Sequence, residues 1–361
     1  MNLTFIILIL SCFYPFKIQI FGYHTNPIHY YALYLLLNQR SISFVKIKKN
    51  TYDGKNQLMI LSLFLLFTTH ALFNGSYFRL DSSIKYILQI VTCLFLYLII
   101  KHSNILNRQL TKKTTNIGVG LLCCIGVING ILDFQNSGNA LPYLHYDLIE
   151  SRSNENGQNV TAYGLTLVWC FLIVNRYPFT GRASLILIFF IITLGSRSSI
   201  LTLLIILFSK SINYRFYKTI LLSALTLIIA APIILIEYDY SSHTRAAALL
   251  DGIAISKNNN LQGIGLDNFQ YYTVNVKKDN NLSRQDAHNE YLKTLVEQGV
   301  IGLILLIVLL TTIFKSMTTN NKNIYCIVIT IVIACGVGDF LWSSVTWAAI
   351  GIGSNRNFSN T

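Results

Sequence analysis

Charged residues are scarce in this chain of 361 residues. Lys, Arg, Asp and Glu together make up 12% of the sequence, whereas hydrophobic residues make up 53%. A soluble domain of ordinary composition carries about 25% charged residues. The composition therefore excludes an isolated water-soluble fold.

Metal-binding and redox cysteine motifs are also missing. The sequence contains no CxxC pair and no mixed His/Cys cluster, and its cysteines all fall inside apolar stretches. Zinc sites, thioredoxin-like sites and disulfide frameworks each require such spacings. We therefore expect the cysteines to act as small buried apolar residues. They are Cys12, Cys93, Cys123, Cys124, Cys170, Cys326 and Cys335.

Long apolar blocks, in contrast, recur along the whole chain. Most approach the length of about 20 residues at which a helix crosses the hydrocarbon core of a bilayer. The pattern predicts an all-α, polytopic transmembrane helix bundle of about 12 spans with a helical periplasmic loop. The predicted spans are 3–20, 29–45, 57–73, 85–101, 117–133, 161–175, 183–195, 198–209, 217–236, 299–315, 324–339 and 341–353.

The net charge of +13 is distributed unevenly between the predicted loops. One set of alternate loops contains most of the Lys and Arg residues and a single acid, Asp53. Cytoplasmic loops carry such an excess of basic residues. We therefore expect a multi-pass protein of the inner (plasma) membrane with both termini in the cytoplasm. Nucleic-acid binding is not predicted, because it would require the charge to lie on one soluble face.

The polar segments predict three regions. Residues 1–237 form a bundle of spans 1–9, residues 238–298 form a large periplasmic loop, and residues 299–361 form spans 10–12 and a cytoplasmic tail. Matched halves with paired broken helices, which are typical of inverted-repeat transporters, are not evident. Because long ordered loops tend to carry function, the 238–298 loop is the expected location of the chemistry.

Two short helices are predicted inside this loop. The first covers roughly 244–256, with an apolar side formed by Ala246, Leu249, Leu250, Ile253 and Ile255. The second covers roughly 283–298, with a capping box from Ser283 to Asp286. Its apolar stripe consists of Ala287, Tyr291, Leu292, Leu295 and Val296. The GIG segment at 263–265 is interpreted as a tight turn, and Gly299 is expected to end the second helix or let it turn into the next span.

Four features at the outer ends of the spans carry potential chemistry: Arg197, Arg245, the pair His288–Asn289, and Asp339. Each also has a structural interpretation. Arg197 and Asp339 would serve as interface anchors, Arg245 would pair with a loop acid, and His288 would be a polar surface residue. The residue types alone leave both interpretations open.

The order and spacing of these residues resemble a known pattern. The segment HNEYLKTLVEQGVIG runs from His288 to Gly302 and contains Gly299. With the Ser196–Arg197 pair, Arg245 before Gly263, Gly265 and Phe269, and Asp339 after a late span, it resembles the O-antigen ligase and O-antigen polymerase family of bacterial membrane glycosyltransferases. The resemblance extends over roughly 190–345 and favours the catalytic interpretation of these residues. The first 180 residues carry no matching motif.

The resemblance implies a metal-independent, inverting membrane glycosyltransferase without a cofactor. Its donor would be a glycan linked through diphosphate to a polyprenyl lipid such as undecaprenol. Arg197 and Arg245 would bind the diphosphate, His288 would be the catalytic base, and Asn289, Asp339, Gly299 and Gly302 would support them. The acceptor would be lipid A-core, or a repeat unit in a polymerase. A chain-length regulator is a further partner compatible with this class.

Several functions remain open at this point. We favour a ligase in lipopolysaccharide biosynthesis, which transfers a finished glycan to lipid A-core, over a polysaccharide polymerase, which joins lipid-linked repeat units. Transfer to protein is a third activity, but it is associated with longer outer loops. A lipid-linked sugar flippase or exporter would require ionisable residues deep within its spans, whereas here most lie at the edges.

Overall fold

A computed structural model describes most of the helical segments of the chain. The described residues are 3–12, 18–20, 23–25, 27–37, 52–73, 80–103, 114–125, 157–174, 181–193, 196–211, 240–269, 272–273, 287, 289–318, 324–337 and 341–355. Structural statements below refer to these residues only.

Within these ranges the protein consists of twelve helices and one short antiparallel strand pair. The strands are β1 (Ile18–Ile20) and β2 (Tyr23–Thr25), in which Gln19 is opposite His24. The first six helices are α1 (Leu3–Ser11), α2 (Pro27–Leu37), α3 (Tyr52–Phe73), α4 (Leu80–Lys101), α5 (Thr114–Ile125) and α6 (Gly157–Val174). The remaining helices are α7 (Arg182–Thr193), α8 (Arg197–Ser211), α9 (Tyr240–Asn258), α10 (Glu290–Thr318), α11 (Tyr325–Val337) and α12 (Ser344–Gly353).

The predicted helical bundle is confirmed, whereas the number of spans stays a prediction. In the described segments, three helices contain windows long and apolar enough to cross a membrane: Asn56–Phe73, Ile84–Lys101 and Glu290–Met317. The prediction of a first span over 3–20 is wrong, because α1 ends at Ser11 and Ile18–Ile20 pairs as a strand. Helix α2 is described from Pro27 to Leu37, and residues 38–45 of the predicted span lie outside the described residues. The predicted span 217–236 lies outside the described residues.

Aromatic residues form the centre of the packing between α3, α4 and α12. The indoles of Trp342 and Trp347 stack with ring centroids 5.5 Å apart, and Phe64 packs edge-on against Trp347 at 5.3 Å. Tyr97 of α4 packs edge-on against Trp347 as well. Such offset and T-shaped pairs add to the stabilisation from buried area. They join the N-terminal helices to the C-terminal helix in one core.

Polar contacts show which helix ends lie on the same side of the bundle. Near the start of α3, Gln57 Nε2 lies 2.9 Å from Nε2 of His102, which follows α4. Asn355, which follows α12, donates from Nδ2 to the carbonyl oxygens of Ile100 and Ser103 at 3.1 and 2.9 Å. The beginning of α3 and the ends of α4 and α12 therefore share one side, as the alternation of the predicted spans requires.

A second set of contacts joins the other helix ends. Thr161, near the start of α6, donates to the carbonyl oxygen of Cys12 after α1 at 3.1 Å. The hydroxyls of Tyr163 and Thr346 lie 2.8 Å apart near the starts of α6 and α12. In α4, Gln89 donates to the Trp342 carbonyl oxygen at 2.8 Å. We call this side the site end, because the predicted topology assigns the candidate functional residues to it.

Candidate functional site

A small hydrophobic cluster separate from the main core lies at the site end. Its buried members come from α9, the following turn and the beginning of α10, and they are Ile255, Phe269, Ala287, Leu292 and Val296. Gly252 of α9 permits the close approach, because a Cβ atom there would lie 2.9 Å from Leu292 Cδ1. The described part of the predicted loop therefore packs on α10.

The two predicted loop helices exist with different limits and faces. The first, α9, extends from Tyr240 to Asn258. Ala246 and Ile255 are buried as predicted, and Leu249 packs against the small cluster. Leu250 and Ile253 were placed on the same apolar side, but they are 62% and 51% exposed. That part of the prediction is wrong, because Ile255 lies about 200° around the helix from Ile253. The described part of α10 packs on the side of Ile255.

The turn after α9 is hydrogen-bonded along its backbone to α10. The Ile264 N–H donates to the Val296 carbonyl at 2.9 Å, and the Gly265 N–H donates to the Glu297 carbonyl at 2.8 Å. In the opposite sense, the Val300 N–H donates to the Leu261 carbonyl at 3.0 Å. These bonds satisfy backbone groups that a helix break would otherwise leave unpaired.

Two glycines make this backbone contact possible. Gly299 adopts φ 71° and ψ −172° and breaks α10 into segments 290–298 and 300–318. Gly263 adopts φ 93°, and a Cβ atom on it would lie 2.6 Å from the Glu297 carbonyl oxygen. A Cβ atom on Gly299 would overlap the Leu261 carbonyl oxygen. Only glycine combines positive φ with so close a backbone approach. The interpretations of 263–265 as a tight turn and of Gly299 as a helix break are confirmed.

Asn289 joins the beginning of α10 to the end of α11. Its Oδ1 accepts the Leu292 N–H at 3.0 Å, which is the geometry of a helix N-cap, and its Nδ2 donates to the Gly336 carbonyl at 2.9 Å. The predicted helix start at Ser283 is wrong, because Ala287 and Asn289 are non-helical and the helix begins at Glu290. Residues 283–286 themselves lie outside the described part.

Three residues that the sequence prediction did not assign to the site meet beside Asn289. The Tyr86 hydroxyl of α4 donates to Glu290 Oε1 at 3.1 Å, and Lys293 Nζ lies 5.7 Å from the centre of the Tyr86 ring. Glu290 and Lys293 are buried. Ionisable side chains are buried only where polar or charged partners compensate for lost hydration. The i, i+3 spacing of Glu290 and Lys293 in the sequence could have indicated that these two residues form a pair. Tyr86 belongs to no motif, so nothing in the sequence indicated that it reaches the site.

Two further contacts hold α10 around its break. His70 Nε2 of α3 lies 2.8 Å from the Gln298 carbonyl oxygen, which can only accept, so that nitrogen carries the proton. The buried Glu297 carboxylate accepts the Phe269 N–H at 3.2 Å. Gly302 lies one turn after Gln298, and the Gln298 side chain occupies the space that a Cβ on Gly302 would require.

For the other predicted site residues, the structure describes only the backbone or only the neighbouring residues. Arg197 is the first residue of α8 and follows the buried Ser196, whose Oγ lies 3.1 Å from Ser198 Oγ. Arg245 lies within α9. The side chains of both arginines, and all of His288 and Asp339, lie outside the described residues. His288 directly precedes Asn289, and Asp339 is three residues after Gly336, so the Asn289–Gly336 bond joins the two chain segments that carry them.

Among the described residues, no three His, Cys, Asp or Glu side chains are grouped closely enough to hold a metal ion. The free cysteines Cys12, Cys93, Cys170, Cys326 and Cys335 are buried, as expected. Cys124 is exposed and Cys123 is partly exposed on α5.

Comparison with known proteins identifies the type of domain. Residues 183–307 match a family model described as O-antigen ligase. The match covers α7 to the middle of α10 and includes Arg197, Arg245, His288, Asn289, Gly299 and Gly302. It confirms the predicted resemblance to the O-antigen ligase and polymerase family over 125 of the 361 residues, and it ends before Asp339. The apolar helices agree with a membrane protein of this kind. A comparison with curated proteins found no match.

Proposed function

We propose that this chain, which carries an O-antigen ligase family domain, transfers a glycan from a polyprenyl diphosphate carrier to an acceptor hydroxyl of lipid A-core or a similar glycolipid. The reaction would take place at the periplasmic face of the inner membrane. The observation that carries the proposal is the Asn289–Gly336 hydrogen bond. It brings together the segments that carry His288 and Asp339, which are separate in the sequence and belong to the same family pattern.

In this proposal His288 is the base for the acceptor. The acceptor O–H gives its proton to His288, and the oxygen attacks the anomeric carbon of the donor glycan. The bond between that carbon and the diphosphate oxygen breaks, and its electron pair leaves with the polyprenyl diphosphate. Histidine suits this role because its usual pKa lies near neutrality. A direct displacement of this kind inverts the anomeric centre.

Arg197 and Arg245 hold the donor diphosphate in this proposal. A guanidinium presents a planar fork of N–H donors that matches two phosphate oxygens, and it keeps its charge at any working pH. The position of Arg197 in the first turn of α8 supports the assignment, because the N-terminus of a helix also favours an anion. Fixed positive charge at the leaving group would supply the stabilisation that a divalent metal supplies in other transferases. Transfer is accordingly expected to persist in excess EDTA.

The contacts of the described part of the loop would supply the rigidity that such a site requires. The small cluster and the backbone bonds between 261–265 and 296–300 fix α9 to α10, while Asn289 fixes α10 to α11. Arg245, His288 and Asp339 therefore belong to segments joined by described contacts. The donor lipid would reach them from the bilayer that surrounds the apolar helices.

The base is tested by measuring transfer from a purified lipid-diphosphate oligosaccharide in nanodiscs. His288→Ala is expected to abolish transfer while leaving membrane insertion and donor binding intact. Glu290→Gln is the matched comparison, because Glu290 is the neighbouring carboxylate and is bound by Tyr86. Normal rates in His288→Ala combined with loss in Glu290→Gln would assign the base to Glu290 instead.

The diphosphate contact is tested by Arg245→Lys. Lysine keeps the charge but cannot reproduce the bidentate geometry, so transfer should fall by the equivalent of about 2–4 kcal/mol in the activation free energy. Donor affinity measured on the same preparation distinguishes this effect from misfolding. Near-normal transfer by Arg245→Lys would disprove the bidentate role.

A polymerase is the alternative within the same family, and a null strain separates the two activities. Loss of a ligase should leave long lipid-linked polymer together with bare lipid A-core. Loss of a polymerase should leave lipid A-core that carries a single repeat unit. We expect the first pattern, and the second would assign this chain to the polymerases.

A further inference from the structure

Helix α9 has an apolar face that the rest of the described protein does not cover. Leu250 and Ile253 lie on this face, whereas Gly252, Ile255 and Ser256 face the protein and are buried. Asn258 is also exposed, but at 100° per residue it lies about 140° around the helix from Ile253. Helix α9 thus has a buried side, an exposed apolar side and an exposed polar edge.

This apolar face is continuous with the exposed surface of α10. Leu261, three residues after α9, is 45% exposed and accepts a backbone hydrogen bond from Val300. Val300 and the adjacent Ile301 are 39% and 59% exposed at the beginning of the second segment of α10. Further exposed residues, Ile304 and Ile307, continue along the same segment. Because α10 is long and apolar enough to cross a membrane, we expect this exposed apolar surface to face lipid.

The apolar segment of α10 can be compared in length with the hydrocarbon core of a bilayer. From Val300 to Lys315, α10 rises about 22 Å at 1.5 Å per residue. The hydrocarbon core of a bilayer is about 30 Å thick. In the segment before Gly299, residues 290–298, the charged side chains are buried in the protein. They are Glu290, Lys293 and Glu297. With the inner boundary of the hydrocarbon layer at Lys315, its outer boundary would lie about 8 Å beyond Val300, on the side where Leu261 contacts α10.

We propose that α9 is an interfacial helix whose Leu250–Ile253 face, together with Leu261, docks into the bilayer leaflet at which α10 begins. The occupants of this surface are the acyl chains of that leaflet. Lys257 is exposed about one turn after Ile253, on the same side of the helix, where its ammonium group can reach the lipid phosphates while its methylene chain covers apolar surface. This proposal does not depend on the proposed glycan transfer, nor on which substrate the site binds.

The depth of α9 can be measured with nitroxide labels on the full chain in phosphatidylethanolamine–phosphatidylglycerol vesicles. Single cysteines are introduced as Leu250→Cys, Ile253→Cys and Leu261→Cys in a Cys124→Ala background, because Cys124 is the exposed native thiol among the described residues. Asn258→Cys, on the polar edge, is the matched control. Labelled Cys124→Ala protein without an added cysteine gives the blank.

Docking into the leaflet predicts that oxygen relaxes the labels at 250, 253 and 261 more strongly than a water-soluble nickel chelate does. The oxygen-to-nickel ratio at these positions should exceed that at 258 several-fold. A ratio at 250 and 253 equal to that at 258 would place the face in water and overturn the proposal. Low accessibility to both reagents would place a protein surface there, such as a second copy of the chain, and would overturn it as well. Normal transfer activity with either of these results would leave the proposed function standing.

Discussion

Asn289 makes two different hydrogen bonds with one amide group, and substitution can separate them. Asn289→Ala removes the N-cap and the bond to Gly336, and should lower the free energy of unfolding by about 1–2 kcal/mol. Asn289→Asp keeps an oxygen that accepts the Leu292 N–H but cannot donate to Gly336. We expect its apparent Tm to fall less than that of Asn289→Ala, because only the bond to Gly336 is lost.

Transfer should nevertheless fall at least about tenfold in Asn289→Asp, since a lost hydrogen bond of about 1.4 kcal/mol corresponds to that factor. Apparent Tm in detergent and transfer in nanodiscs are measured on the same preparation. Full activity of Asn289→Asp would show that α10 and α11 are positioned without this bond. The Asn289–Gly336 contact would then carry no argument for the site.

Tyr86 extends the candidate site into the half of the chain that has no family motif. Tyr86→Phe removes the hydroxyl that donates to Glu290 but keeps the ring beside Lys293. Because hydrogen bonds to charged groups contribute about 1.5–3 kcal/mol, transfer and stability should both decrease. Tyr86→Leu, which also removes the ring, should decrease them further.

Tyr34→Phe is the control for this pair, since Tyr34 is 53% exposed and stacks on Tyr31 through its ring alone. It should leave transfer and apparent Tm unchanged. Equal behaviour of Tyr86→Phe and Tyr34→Phe in both measurements would show that the Tyr86 hydroxyl does not support the site.

At the scale of helices, the break in α10 is the feature that joins the loop to the membrane bundle. Gly299→Ala would force an L-residue into positive φ and place a methyl group against the Leu261 carbonyl. The conformation alone costs about 1–2 kcal/mol, and overlap with the backbone adds to it. The turn at 261–265 should detach, with loss of transfer and faster proteolysis of the loop.

Gly120→Ala on α5 is the matched glycine control. Gly120 is helical and a Cβ there would meet nothing within 4 Å. Alanine should therefore be neutral or stabilise the helix by about 0.5–1 kcal/mol. If Gly299→Ala behaved like Gly120→Ala in limited proteolysis and in transfer, the break would not require glycine.

At the scale of the whole molecule, orientation in the membrane is the prediction with the widest consequences. The positive-inside pattern places 238–298 in the periplasm and residues 46–56 in the cytoplasm. With Cys124→Ala as background, Asn259→Cys should react with an impermeant maleimide in intact spheroplasts, and Asn50→Cys should react only after lysis. The reverse pattern would place the site in the cytoplasm, where the proposed donor is not delivered.

The orientation assumes that successive helices cross the membrane in alternating directions. The contacts between helix ends agree with this assumption. Gln57, His102 and Asn355 meet at one side, whereas Tyr86, His70 and Gln298 belong to contacts at the other. The contacts fix the relative direction of the helices. The assignment of the site end to the periplasm comes from the distribution of Lys and Arg, so the labelling experiment tests that assignment directly.

Composition and local pattern were sufficient for the helical class, for the family and for the two glycines. Apolar length determines that a segment is a membrane helix, and a turn that requires positive φ selects glycine at Gly263 and Gly299 whatever surrounds it. The resemblance to the O-antigen ligase and polymerase family came from the order of four motifs along the chain, of which HNEYLKTLVEQGVIG is one. Composition, turn chemistry and motif order are properties of the sequence itself, which is why the sequence alone was sufficient for them.

Only the tertiary structure decided which side of α9 is covered, where the second loop helix begins, and that Tyr86 reaches Glu290. The prediction grouped Leu250 and Ile253 with Ile255, although Ile255 lies about 200° around the helix from Ile253, and coverage depends on the position of α10. Ser283 and Asn289 are both suitable caps by residue type, and Asn289 acts as the cap while also binding Gly336. Contacts between residues some 200 positions apart depend on how the helices pack. The spacing of residues along the sequence does not predict that packing.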